Sequence, residues 1–152
     1  MRIRSATESD IPDILALGDL FWKQTVYYKE HKIPLDPETG EEVIRCCMLE
    51  GAALLLEDDG LLLGMILVPV THCMMNKNYK FAAEYGFYVD PALRNKGAGQ
   101  KLIEAATQVL RDKGIALFTM VSMKYVTPAA ANHLYESMGF EHTETGFTKD
   151  IR

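Results

Sequence analysis

One stretch of the chain gathers the residue types of an anion site: Arg94-Asn95-Lys96-Gly97-Ala98-Gly99-Gln100-Lys101. It follows an extended run that ends at Val89 and is closed by Asp90-Pro91, and it opens an amphipathic helix. Glycines at 97 and 99 let backbone N–H groups approach a ligand closely, and the positive end of the helix favours phosphate. Arg94, Lys96 and Lys101 bring positive charge to the same place. The same residues also describe a plain strand-to-helix turn with solvated cations, because short glycine motifs recur widely. Two phosphate loops are excluded. A P-loop needs Lys-Ser/Thr after its last glycine, and Gly99 is followed by Gln100; the dinucleotide fingerprint needs Gly or Ala where Leu102 stands.

Elements must position this loop, and they can be read from periodicity. Arg2 to Ala6 alternates as a short strand, and Thr7-Glu8-Ser9-Asp10 offers a capping box. Ile11, Ile14, Leu15, Gly18, Phe21, Trp22 and Val26 form one helical face. Tyr27 to Pro37 is expected as a loop, and a second helix runs from about Glu38 to Glu50. Ala52–Glu57 and Leu61–Val70 flank Asp58-Asp59-Gly60, a hairpin signal. Phe81 to Val89 is a third extended run. A helix over about Gly97 to Lys113, a strand over Ile115 to Val121, and a short helix from Thr127-Pro128 to Met138 follow. Phe140 to Ile151 is expected as a final strand or hairpin. With no repeat, low-complexity tract or linker, residues 1–152 read as a single domain of α+β (mixed α/β) class.

Composition narrows the function. The 152 residues are 48% hydrophobic and 24% charged, which suits a globular core, and their net charge of −5 argues against a nucleic-acid partner. The longest apolar stretch, Leu61 to Val70, is too short to cross a bilayer, so no membrane role is expected. No secretory signal is visible at the start. Cys46, Cys47 and Cys73 give neither a disulfide framework nor a metal-ligand spacing, so a cytoplasmic location with reduced thiols and no metal is expected. His72, His133 and His142 are scattered and read as surface residues. Cys73 lacks a partnered histidine and reads as an idle thiol. The methionines read as core and loop filling. Trp22 reads as core, whereas Tyr27 and Tyr28 are candidates to line an acceptor site. Glu38, Glu41 and Glu42 read as a solvated helix start or as an attractor for a cationic acceptor.

Arg94-x-x-Gly97-x-Gly99, with Val89 five residues earlier and Leu134-Tyr135-Glu136-Ser137-Met138-Gly139-Phe140 near the end, resembles the GNAT N-acetyltransferase superfamily. Nearly the whole chain follows that pattern. Glu84 with Phe87-Tyr88-Val89, and Glu144 to Lys149, are similar to small phage- and prophage-type members. The resemblance implies a central, mostly antiparallel twisted sheet, splayed between the strands that end near Val89 and Val121 and flanked by about four helices. It implies acetyl-CoA as cosubstrate, with Phe87, Tyr88 and Val89 pairing with the pantetheine arm and Arg94, Asn95, Lys96, Gly97, Ala98, Gly99 and Gln100 wrapping the pyrophosphate. It also implies direct transfer of acetyl to a primary amine of a small molecule or peptide, and a homodimer.

Such a transfer needs a base for the ammonium and an acid for the departing thiolate. Tyr135, in the motif, is the candidate acid; its bland reading is core packing. Glu84, about ten residues before Arg94, is the candidate base; its bland reading is a solvent-facing strand residue, and a water chain could take its place. One position departs from the family: many members carry Asn seven residues before the tyrosine, and Pro128 stands there. Asn132 is out of register and takes no role. A non-catalytic acyl-CoA-binding module on the same fold is the alternative function.

Overall fold

The computed structural model describes residues 1–152. Strand β1 (Arg2–Ser5) leads through a 3-10 turn into helix α1 (Ile11–Trp22), a four-residue helix α2 (Val26–Lys29) and helix α3 (Pro37–Leu49). The expected loop after Trp22 thus contains one helical turn. Strands β2 (Ala52–Asp58), β3 (Leu61–Val68), β4 (Val70–Cys73), β5 (Asn76–Ala83) and β6 (Gly86–Val89) follow, then helix α4 (Ala98–Asp112), strand β7 (Leu117–Thr119) and helix α5 (Pro128–Ser137). Five α-helices stand where about four were expected.

Local chemistry sets several boundaries. The backbone N–H of Thr7 donates to Asp10 at 2.8 Å, completing the capping box. Arg4 holds the same carboxylate with both terminal nitrogens at 2.8 Å and also pairs with Glu57, tying β1 to the turn. Asp36 caps α3 by accepting from the Thr39 N–H at 2.9 Å. Asp59 and Gly60, at φ 46° and 80°, make the tight β2–β3 turn that positive φ at both central positions requires.

The sheet is antiparallel in the order β1-β2-β3-β6, with a second group β4-β5-β7 in which only β5 and β7 run parallel. The two groups continue one another: β3 breaks at Pro69 and resumes as β4, and its partner breaks at Glu84-Tyr85 between β5 and β6. Leu67 pairs with Gly86 in one arm and Val70 with Ala82 in the other, so the second strand carries one extra residue, a bulge. At the bulge the Glu84 N–H donates to Thr119 on β7 at 2.9 Å, and the Tyr85 N–H donates to Leu67 on the opposite side at 2.9 Å. Beyond it β6 pairs only with β3, and its other edge is open.

Both faces of the sheet are covered. Leu54, Leu56, Ile66 and Val68 pack with Leu102, Ile103, Ala106 and Leu110 of α4. The alternate residues Ala53, Leu55, Met65 and Leu67 pack with Ile11, Ile14 and Phe21 of α1 and with Ile44 and Cys47 of α3. A strand that is apolar at every position, as Ala52–Leu56 is, must sit between two such layers.

Two expectations need correction. Residues 140–152 form no strand, and Phe147 and Ile151 are almost fully exposed. Met74 and Met75 fill no core; they stand exposed at the tip of the β4–β5 hairpin.

Candidate active site

The loop between β6 and α4 begins with Asp90, whose side chain accepts from the Ala92 N–H at 2.8 Å. Arg94 then turns back so that its Nε donates to the Val89 carbonyl at 3.1 Å, fixing the guanidinium at the end of β6. Asn95 and Gly97 adopt φ of 60° and 78°, which swings the chain into the first turn of α4. At Gly99 a Cβ would lie 3.1 Å from Phe87 Cζ, 3.6 Å from Leu134 and 3.8 Å from Val89, so only hydrogen fits there without movement. Neither Arg94, Lys96 nor Lys101 has a carboxylate partner.

This loop forms one end of a cavity of about 1000 Å³ that runs between β6 and α5 and on beneath α1 and α3. Phe87, Tyr88, Val89, Arg94, Asn95, Gly97, Gly99 and Gln100 border it, eight of the ten residues expected at the cosubstrate. Lys96 is exposed and Ala98 is buried in the α4 core; neither borders the cavity. Lys101 is a clear correction, since one helical turn carries it to a separate shallow depression beside Arg2 and Glu104.

Glu84 and Tyr135 both line the cavity beside the backbone of Val121, although 51 positions separate them in sequence. Glu84 sits at the bulge and is only 7% exposed. Its carboxyl accepts from the Val121 N–H, but burial without a cationic partner dominates and pushes its pKa up to about 7. Tyr135 is equally buried, and its hydroxyl donates to the Val121 carbonyl at 3.3 Å. Burial, together with the nearby Glu84 charge, raises its pKa well above that of a free phenol, so it keeps its proton. Its ring leans on Phe140 at 6.1 Å between centroids, and Phe140 meets Phe118 edge-on at 5.5 Å. The gap exists because β7 ends at Thr119 and the chain then leaves the sheet, while the bulge turns β6 the other way.

The profile of the acetyltransferase (GNAT) domain matches residues 50–142, more than half of the chain. The chain belongs to the GNAT acetyltransferase family. No curated protein matches it by sequence. Solved structures with the same fold include a ribosomal-protein-alanine N-acetyltransferase from Brucella melitensis biovar Abortus 2308, at 14% identity and a TM-score of 0.72, covering 99% of this chain and 100% of that one. Another is an aminoglycoside acetyltransferase from an uncultured soil metagenomic sample in complex with trehalose, at 19% identity and a TM-score of 0.77, covering 99% and 96%. A third is AAC(6')-Iy in complex with the bisubstrate analogue CoA-S-monomethyl-acetylneamine, at 18% identity and a TM-score of 0.73, covering 99% and 97%.

Acetyl-CoA, the cosubstrate of GNAT enzymes, suits the residues present. A diphosphate asks for uncompensated cations and unpaired N–H groups, and the loop supplies Arg94 together with the first-turn N–H groups of α4, which no helix satisfies internally. The missing side chain at Gly99 keeps Phe87 in place beside that turn. The open edge of β6 offers backbone groups to an amide-bearing arm.

Several contributors to this GNAT site left no mark in the sequence. Val121 serves both Glu84 and Tyr135 through its main chain, where any side chain would do. His133, exposed as expected, and Trp22 also border the cavity, and of the two tyrosines expected at an acceptor site Tyr27 borders it and Tyr28 does not. Outside the cavity lining, Glu30 bonds Lys124 at 2.5 Å and Tyr125 at 2.7 Å, joining the segment after α2 to the segment before α5.

Proposed function

We propose that this chain, acting as one GNAT domain over its whole length, transfers an acetyl group from acetyl-CoA directly to a primary amine. The observation that carries this reading is that buried Glu84 and Tyr135 line the same cavity as Arg94, Gly97 and Gly99 of the cradle. Bound acetyl-CoA would supply the acetyl group as an activated thioester. Arg94 and the N–H groups of the α4 first turn would hold its diphosphate, and the β6 edge at Phe87–Val89 its pantetheine arm.

The chain's own groups account for the protons. An ammonium must lose one before its nitrogen can attack, and Glu84 Oε accepts it once the carboxyl is ionised, above about pH 7. A departing thiolate must gain one, and the Tyr135 hydroxyl holds a proton throughout the physiological range, from which it can give it. A C–N bond forms as the C–S bond breaks, and the second proton that the nitrogen sheds on becoming an amide restores the Tyr135 hydroxyl; the products are the amide, the free thiol of CoA and one proton, which Glu84 releases to water. The dry walls around both groups strengthen these polar interactions.

The test is calorimetric titration with acetyl-CoA of the wild type and of an Arg94→Ala, Gly97→Glu double variant, followed by thiol release in the presence of amines. Saturable binding lost in the variant, with amine-dependent release of CoA, is expected. Folded wild-type protein that binds no acetyl-CoA overturns the reading, and binding without turnover on any amine leaves a non-catalytic acyl-CoA module.

A further inference from the structure

The half of the cavity away from the cradle is built from α1, α2, α3 and the loop before α3, and its chemistry is one-sided. Leu15, Phe21, Leu35, Val43, Met65 and Leu67 are among its walls. Trp22 and Tyr27 stack at 5.3 Å and 20° between planes, giving it a flat aromatic side. Two of its polar groups are engaged: the Trp22 indole N–H donates to the Ile33 carbonyl at 2.8 Å, and one oxygen of the Asp36 carboxylate accepts from the N–H and hydroxyl of Thr39 at 2.9 and 2.5 Å. Glu38, Glu41 and Glu42, the acidic helix start that suggested a cationic acceptor, border none of it, and Glu41 pairs with Arg45 at 3.1 Å. Of the two carboxyls on the cavity, Asp36 is exposed to solvent and Glu84 alone is buried.

A buried ammonium needs a carboxylate apiece, or a large desolvation cost goes unopposed. A polyamine or an aminoglycoside carries several ammonium groups, and this cavity offers them one buried carboxyl; an ion pair at the solvent-exposed Asp36 adds little. We infer that the acceptor of this enzyme is a monoamine with an apolar, aromatic body: the amine reaches Glu84 at the gap, and the body lies along the Trp22–Tyr27 wall between α1 and α3. The inference rests on the acetyl-transfer reading for its chemistry, but the pocket can be tested apart from turnover.

Trp22 is the only tryptophan in the chain, so its emission reports on this wall alone. 2-Phenylethylamine, spermidine and kanamycin are titrated at constant ionic strength, without and with saturating CoA. A saturable emission change with 2-phenylethylamine is expected, with an affinity about tenfold or more above that for spermidine or kanamycin. Leu35→Asp, which sets a carboxylate into the wall from a half-buried loop position, is expected to weaken 2-phenylethylamine about tenfold and leave acetyl-CoA binding unchanged, and Leu35→Ala to weaken it less. Circular dichroism confirms that each variant is folded. Spermidine or kanamycin binding as tightly as the aryl amine, no emission change in either condition, or indifference to both substitutions overturns the inference. Preferred acetylation of spermidine would sink the acceptor assignment and leave acetyl transfer standing. Binding of 2-phenylethylamine by protein that fails to bind acetyl-CoA would do the reverse.

Discussion

Glu84 pays for its position. Its carboxyl titrates near 7 in the folded chain against about 4.5 when solvated, because burial penalises the charge. A raised folded value means that the native state holds the proton more tightly than the unfolded chain does. The contribution to stability is therefore fully present below about pH 4.5 and is lost as pH climbs through 7, by on the order of 3 kcal/mol. Glu84→Gln should escape that loss, so its melting temperature should exceed that of the wild type by more at pH 8 than at pH 5. Its turnover should fall about 10²- to 10⁴-fold at pH 8, with acetyl-CoA affinity unchanged. Wild-type turnover should rise with pH through about 7, and the variant's residual rate should lack that step. For Tyr135→Phe, turnover should drop while stability changes by no more than about 1 kcal/mol, since only one long hydrogen bond to Val121 is lost. Both candidates could be named from the sequence, Tyr135 from its motif and Glu84 from its place about ten residues before Arg94. Their common place beside Val121 was not legible, because it runs through that residue's backbone, to which no residue type is matched.

Among the elements, α4 shows how a weak helix former becomes necessary. Glycine in a first turn costs helix stability relative to alanine, yet Gly99 faces Phe87 with room for hydrogen only. Gly99→Val should leave the circular dichroism spectrum intact and weaken acetyl-CoA at least tenfold in calorimetry, by displacing Phe87 and covering the first-turn N–H groups. Helix α1 was readable from its capping box and three-to-four spacing and α5 from the proline in its first turn, although Thr127 before it makes no side-chain cap. Two stretches were misread, one because a paired strand there shows no alternation and the other because no strand pairs with it. Asn76 to Lys80 forms the first part of β5, although it is polar throughout, because it pairs as a hairpin arm over no core and so carries no alternation. Glu141 to Thr145 has no apolar face to bury, and a strand there would gain nothing from leaving water.

Taken whole, the molecule carries −5 while its cosubstrate is an anion, so the global field and the cradle act in opposite senses. Screening reaches about 8 Å at physiological ionic strength, and within that range the unpaired Arg94 dominates. Acetyl-CoA affinity should therefore fall as salt is raised from 50 to 500 mM, and Arg94→Ala should flatten that dependence; affinity rising with salt would show that the global charge rules instead. The α+β class was plain from the order of the elements, but the two-sided core and the gap were not, because the gap opens beside a single surplus residue at Glu84-Tyr85. That surplus makes the chain's length part of its chemistry. Removing Tyr85, which is mostly exposed, would bring the two arms of the strand into one register and let β7 run on beside β6. A deletion in a strand ordinarily weakens a protein; here it would yield a more regular, more durable sheet with nowhere to put a substrate. Selection for durability and selection for turnover would pull this one position in opposite directions.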